Sequence, residues 1–285
     1  MPVHLTTSVD EGVVSVDGAE VHYFVSGTPH PTRPPLVLIH GTGGSTATHF
    51  AMLFPMIATR QQVISLDFAE PADVNALALE HLENQVSAVV DAVLPSGPIA
   101  VLGYSLGAVV AASYAAHHPG RVRSLVLVAG WIKTDNQQIL RNDLYRVLRA
   151  AGDPEAMKAY SRLFAFAAPY VAKRTPAEMD VVAPPGKPSN FGALQMELNR
   201  IVDISDRVSD IASTTLIVGG THDLMVPRHH SLALFGAIAD ARYTEIAAGH
   251  SVLVERPAEL LSITQTFLAK AHRHPAGAVI APAQP

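Results

Sequence analysis

A serine hydroxyl stands between two glycines in Gly103-Tyr104-Ser105-Leu106-Gly107, a G-x-S-x-G pentapeptide. It lies inside a run, Pro95 to Ala116, that contains no Asp, Glu, Lys or Arg. A hydroxyl is a poor nucleophile at neutral pH; it needs a base to take its proton and a third group to orient that base. In a tight strand-to-helix turn the central residue is forced into a strained conformation. Side chains two positions to either side would collide with it or with adjoining strands, and glycine at both places removes the collision. The pattern therefore predicts a nucleophilic Ser105 projecting from the end of a strand. The plain alternative is a small residue in a tight turn.

Two later loops hold the partners such a serine requires. Asp223 lies in Gly219-Gly220-Thr221-His222-Asp223-Leu224, after the strand-like run Thr215–Val218. His250 lies in Ala248-Gly249-His250-Ser251, after the run Arg242–Ile246. Serine, acid, histidine is the chain order expected for a nucleophile on a strand-to-helix turn. His250 is the predicted general base, then acid; Asp223 would hold its tautomer and stabilise the imidazolium. The chain has 14 histidines, so residue type selects none of them, and the place after the last strand run selects His250. A locally satisfied loop histidine and a helix-capping aspartate are the competing readings. Asp67 is the rival acid, but it follows an earlier strand run.

These loops need a scaffold. Val13–Val16 and Val21–Val25 flank Asp17-Gly18, a hairpin signal. Leu36–Ile39, Val63–Leu66, Ile99–Leu102, Ser124–Val128, Thr215–Val218 and Arg242–Ile246 are mostly short, continuous and aliphatic. Such runs suit strands buried on both faces of a parallel sheet. Helical stretches alternate with them: Asn75–Leu94, Leu106–Ala116, Arg228–Ala239 and Pro257–Ala271. The predicted class is α/β, a mostly parallel twisted sheet with helices on both faces. Alternation stops between Trp131 and Asp206, where three helical stretches (Asn136–Ala150, Pro154–Ala167, Phe191–Val202) surround a loop with Pro176, Pro184, Pro185 and Pro188. The predicted organisation is a core of 1–130 and 206–271, a helical cap of 131–205, and a flexible tail of 272–285 rich in Pro and Ala.

With these motifs assembled, the chain resembles the α/β-hydrolase superfamily, specifically its capped members, over roughly Val13 to Ala271. His40-Gly41-Thr42-Gly43-Gly44 is similar to that family's oxyanion loop, and the serine, acid and histidine segments match its three catalytic loops. The G-x-S-x-G turn itself supplies the backbone N–H of Leu106 as one oxyanion donor. By resemblance the second is the N–H of Thr42. One departure is visible. After Val63–Leu66 the family often has Asp-x-Arg-Gly-x-Gly, whereas Asp67 is followed here by Phe-Ala-Glu-Pro. That weakens any transfer of substrate from typical members.

The expected chemistry is hydrolysis of a carboxylic ester, lactone or thioester through an acyl-enzyme. The alternatives are a C–C bond hydrolase or lyase on the same site, and a ligand-binding protein that retains the triad. Tyr104, Trp131, Phe164 and Phe191 are the predicted substrate contacts, with a small, apolar, ester-like molecule as partner. His40 reads as structural. Arg141, Tyr145 and Arg149 share one helix face, which reads as solvated. The pairs His117-His118 and His229-His230 invite a metal reading, but neighbours on a helix do not face the same way, and no metal or other cofactor is expected. With no Cys, disulfides are excluded. A net charge of −5 without a basic stripe gives no reason to expect nucleic acid. No leader pattern or membrane span is expected, and the chain reads as a cytoplasmic monomer or homodimer.

Overall fold

The computed structural model describes residues 8–72, 76–183 and 189–281. Eight strands form one sheet: β1 (Val9–Val16), β2 (Ala19–Ser26), β3 (Leu36–Ile39), β4 (Val63–Asp67), β5 (Ile99–Tyr104), β6 (Val122–Val128), β7 (Thr214–Gly220) and β8 (Ala241–Ile246). Their order is β1-β2-β4-β3-β5-β6-β7-β8. The hairpin β1–β2 is antiparallel and joins β4 antiparallel, while β3 to β8 run parallel. Asp17 and Gly18 turn the hairpin with φ of 51° and 72°, the left-handed pair a two-residue connection favours.

The aliphatic runs are buried because both sheet faces are covered. Val37, Ile39, Ile64, Leu66, Val101, Leu125, Leu127 and Ile217 pack on one face with the helices Leu79–Val93 and Leu106–His117. Their alternates Leu36, Leu38, Val63, Ala100, Leu102, Val126, Leu216 and Val218 pack on the other with the helices Leu53–Ala58 and Pro257–Ala269. Two clusters divided at a period of two are what a pleated sheet between two helix layers produces. The charge-free run resolves into β5 and a 12-residue helix, Leu106–His117, of which every residue but His117 is buried. No helix of the described residues is long and apolar enough to cross a membrane. The helix expected from Asn75 begins at Leu79; Asn75 itself lies outside the described residues.

Between β6 and β7 the described residues form five α-helices, Asn136–Ala151, Pro154–Ala165, Ala168–Ala172, Pro176–Val182 and Asn190–Ile201, followed by a 3-10 turn at Val208–Asp210. The expected proline loop needs correction at Pro176, which opens a helix. Thr175 and Glu178 make a reciprocal capping box there, and proline suits a first helical position because its missing N–H has no partner to lose. Pro184, Pro185 and Pro188 lie outside the described residues. The insert is stitched at its base, where Thr134 N–H bonds the Val202 carbonyl and Ile204 N–H bonds the Ile132 carbonyl, each at 2.9 Å.

Of the segment 272–285 expected as a flexible tail, residues 277–280 line β8, and 282–285 lie outside the described residues. Tyr243 of β8 accepts from Ile280 N–H at 2.7 Å and donates to the Ala278 carbonyl at 3.0 Å, with Val279 paired parallel to it. Gly277 N–H bonds the Ala241 carbonyl at 2.8 Å, and Ile280 packs on the core. A short segment can therefore line the β8 edge without any periodic signal in its sequence.

Candidate active site

Parallel strands deliver their loops to one end of the sheet. Thr42 follows β3, Ser105 follows β5, Asp223 follows β7 and His250 follows β8. In open α/β sheets this carboxyl edge is where ligands bind. Ser105 adopts φ 57° and ψ −124°, and its glycine neighbours are sterically required. A Cβ on Gly103 would lie 2.2 Å from the Gly107 carbonyl oxygen, and one on Gly107 would lie 2.1 Å from the Ile39 carbonyl oxygen.

The three separated loops meet. Ser105 Oγ is 2.9 Å from His250 Nε2, and His250 Nδ1 is 2.8 Å from Asp223 Oδ2. The other carboxylate oxygen accepts the N–H groups of Met225 at 2.8 Å and Val226 at 2.9 Å, which fixes its plane. Asp223 therefore does cap the following turn, and it orients the imidazole as well. An acceptor at Nδ1 places the ring proton there and leaves the Nε2 lone pair for the hydroxyl. Ser105 is 8% exposed, His250 5% and Asp223 5%, so these polar contacts are shielded from water.

Beside the serine lies the loop 40–44. A Cβ on Gly41 would come 2.9 Å from Ser105 Cβ, so backbone and nucleophile are in close contact. The N–H groups of Thr42 and Leu106 carry no hydrogen bond to any described residue. His40 is buried behind this loop, with Nδ1 2.8 Å from the Gly41 carbonyl and Nε2 accepting Phe68 N–H at 2.9 Å. Burial lowers its pKa, and a neutral ring fits both bonds. His49, absent from the sequence reading, accepts Gly41 N–H at 3.2 Å. Burial first, then the nearby His40 and His250, pull its pKa down to about 3.

The inserted helices rest on these same loops. Gln195 Oε1 accepts Gly43 N–H at 2.6 Å, and Asn199 Nδ2 donates to Thr42 Oγ1 at 2.9 Å. Ser251 N–H donates to the Ala165 carbonyl at 2.7 Å. Glu255 Oε1 accepts from Ala167 N–H and Gly249 N–H, each at 3.0 Å, bridging the insert to the loop before His250. No motif marks Gln195, Asn199 or Glu255; for the first two only their four-residue spacing on one helix hinted at a shared face.

The four aromatic residues expected to contact substrate all pack against protein. Tyr104 is 5% exposed, and its hydroxyl donates to the His250 carbonyl at 2.9 Å. Its ring lies 5.3 Å from that of His250. Trp131 is 2% exposed, packs in the core, and donates from Nε1 to Thr134 Oγ1 at 3.0 Å. Phe164 stacks at a tilt on Tyr160, 4.9 Å between centroids, and Phe191 packs against the core. Asp67 is not part of the constellation; its Oδ1 accepts from Thr46 N–H and Oγ1 at 2.6 and 2.7 Å. The helix face expected to be solvated is not so at Arg141, whose Nε is buried.

The adjacent histidines 229 and 230 also converge, against the expectation from helix geometry. His229 Nε2 bonds Asp135 Oδ2 at 2.8 Å, and His230 Nε2 lies 3.2 Å from the same oxygen without hydrogen-bond geometry. Asp135 caps the helix Asn136–Ala151, so the two helices are joined there. Adjacent side chains can meet because their partner sits beyond the helix end, not alongside one face. The cleft of about 390 Å³ lined by Met56, Arg60, Leu261 and Gln265 includes none of the residues around Ser105.

Residues 34–257 match the family model described as alpha/beta hydrolase fold, and the chain belongs to that family. A pyrrolizixenacetamide deacetylase of Xenorhabdus hominickii is 28% identical over 268 residues, covering 90% of this chain and 97% of that protein. The RutD protein of Azorhizobium caulinodans, whose name assigns it carbamate hydrolysis, is 29% identical over 247 residues, or 81% and 88% of the two chains. Among solved structures, the enol-lactonase from Burkholderia xenovorans LB400 superposes with a TM-score of 0.74 at 22% identity, over 90% of this chain and 100% of that one. At that identity the likeness speaks to fold.

Proposed function

We propose that the chain is a serine hydrolase acting on an acyl compound of the carboxylic ester class. The observation that carries this reading is the continuous contact from Ser105 Oγ through His250 to Asp223, at 2.9 and 2.8 Å. Ser105 Oγ attacks the acyl carbon while its proton passes to His250 Nε2. Asp223 holds the Nδ1 proton and stabilises the imidazolium. The developing oxyanion takes the free N–H groups of Thr42 and Leu106; losing one such donor typically costs about 3 kcal/mol. His250 then gives its proton to the leaving oxygen, the alcohol departs, and an acyl-serine remains. Water, deprotonated by His250, attacks that ester and releases the acid and Ser105. The five inserted helices act as a cap over the site, and their contacts with the loops of Thr42 and His250 support that role.

The names of the two relatives, a deacetylase and a carbamate hydrolase, favour a second reading in which the leaving atom is nitrogen. The same residues serve, with His250 protonating an amine. A fluorophosphonate probe followed by peptide mapping tests the nucleophile without knowledge of the substrate. Label is expected on Ser105, and Ser105→Ala should cut turnover by up to about 10⁶-fold, as in other triad enzymes. Undiminished hydrolysis by purified Ser105→Ala protein would remove the assignment. Matched ester, amide and carbamate substrates then rank the two readings.

A further inference from the structure

Among the described residues, Arg141 is a half-buried cation with no carboxylate in ion-pair or hydrogen-bond contact. One terminal nitrogen donates to Asn142 Oδ1 at 2.8 Å, Nε is buried with no acceptor, and no ion pair reaches the group. Arg146 and Arg200, on the same helix and the facing one, each have acidic partners in Glu197 and Asp143. The Asn142 amide that Arg141 holds is 1% exposed, and its own Nδ2 also lacks an acceptor. Donors from two adjacent residues thus converge with nothing to receive them. A guanidinium keeps its charge in a protein, so an anionic acceptor is the partner best suited to its buried Nε–H.

The helix of Arg141 belongs to the group of elements that hold the loops of Thr42 and His250. Arg141 lies against Tyr160, whose hydroxyl donates to the Arg141 carbonyl at 3.0 Å. The helix carrying Tyr160 ends at Ala165, whose carbonyl holds the residue after His250. The facing helix carries Asn199, which holds Thr42. Helix 136–151 packs on both of these helices and so lies between the supports of the two catalytic loops. Burial lowers the Arg141 pKa, while Tyr160 and Asp223 oppose the shift, which is consistent with a place near the acid.

We propose that Arg141 and Asn142 form an anion subsite of the active site, and that the substrate is an ester bearing a second, ionised carboxylate. Its two oxygens accept from Arg141 Nε–H and Asn142 Nδ2–H, the first a charge-assisted hydrogen bond. This adds an ionised group to the small, apolar, ester-like substrate expected from sequence, and it rests on the reading of Ser105 as nucleophile.

Monomethyl adipate and methyl heptanoate make the comparison: similar chain length, the same scissile bond, and a carboxylate on only one. Methanol release is followed in wild-type protein, Arg141→Met, Arg141→Lys and Ser105→Ala, with circular dichroism to confirm folding. Wild type is expected to show the higher kcat/KM for the acid ester. In Arg141→Met the ratio of the two kcat/KM values should fall about 10- to 100-fold, through KM for the acid ester, the range a buried hydrogen bond to a charged group allows. Arg141→Lys should keep part of the preference. A wild-type preference for the neutral ester, or a ratio that Arg141→Met leaves intact, overturns the subsite. If Arg141→Met fails to fold, the wild-type ratio and Arg141→Lys decide. Loss of hydrolysis in Ser105→Ala separates the two levels: Ser105-dependent turnover with no charge preference sinks only the subsite, and turnover independent of Ser105 sinks the enzyme reading.

Discussion

At the scale of single residues, the backbone at Ser105 is held where side chains rarely go, a cost of order 1–3 kcal/mol that the packed turn sustains. Tyr104, its neighbour, reaches behind to the His250 carbonyl. Burial first, then the charges of Asp223 and Glu255, raise the phenol pKa well above its ordinary value, so Tyr104 stays a donor at every working pH. Tyr104→Phe should keep the fold and lower kcat about 2- to 10-fold, the worth of one neutral hydrogen bond; steady-state kinetics with an unchanged KM would check it. Ser105, Asp223 and His250 were legible because a short motif and a chain order name them. Tyr104 was not, because its hydroxyl answers to a carbonyl 146 positions away. Arg141 was misread because periodicity says which residues share a helix face and is silent on what covers that face.

At the scale of elements, β3 to β7 could be read from sequence because each carries a short aliphatic stretch between two helix layers, and that environment leaves little choice of residue. The inserted helices were legible as helices, but their docking was not, since a few side-chain contacts with loops carry it. Glu255 is one of these contacts and is half-buried. Burial raises its pKa, with the N–H bonds of Ala167 and Gly249 opposing the shift. A carboxyl whose folded pKa exceeds its unfolded one stabilises the fold below the unfolded value, and that contribution is lost as pH rises through the folded value. Glu255→Gln keeps an oxygen for both N–H groups and cannot ionise. Its melting temperature relative to wild type should therefore climb between about pH 4 and pH 7. Parallel curves by differential scanning calorimetry across that range would show that Glu255 carries no such penalty.

At the scale of the whole molecule, the hairpin β1–β2 occupies one edge of the sheet, and residues 277–280 line the other. A bare edge strand loses hydrogen-bond partners and invites pairing with another chain. Removing residues 275–285 should lower the melting temperature by about 5 °C or more, for a loss of two to three backbone bonds and the packing of Ile280. Light scattering should also report association of the shortened chain; a melting point and monomer content equal to wild type would mean the segment is dispensable. The composition of this stretch concealed its role, because a single bridging pair leaves no period to detect. The tethers from Gln195, Asn199, Ala165 and Glu255 carry a larger consequence. All four grip the segments that, on the proposed function, would present the oxyanion donors and the base. Any route that admits a guest by prising the helices off the sheet also slackens the apparatus that would attack it. On the proposed function, reactivity would thereby be withheld until the inserted helices have settled over a bound guest, and a half-open protein would spare bystander molecules.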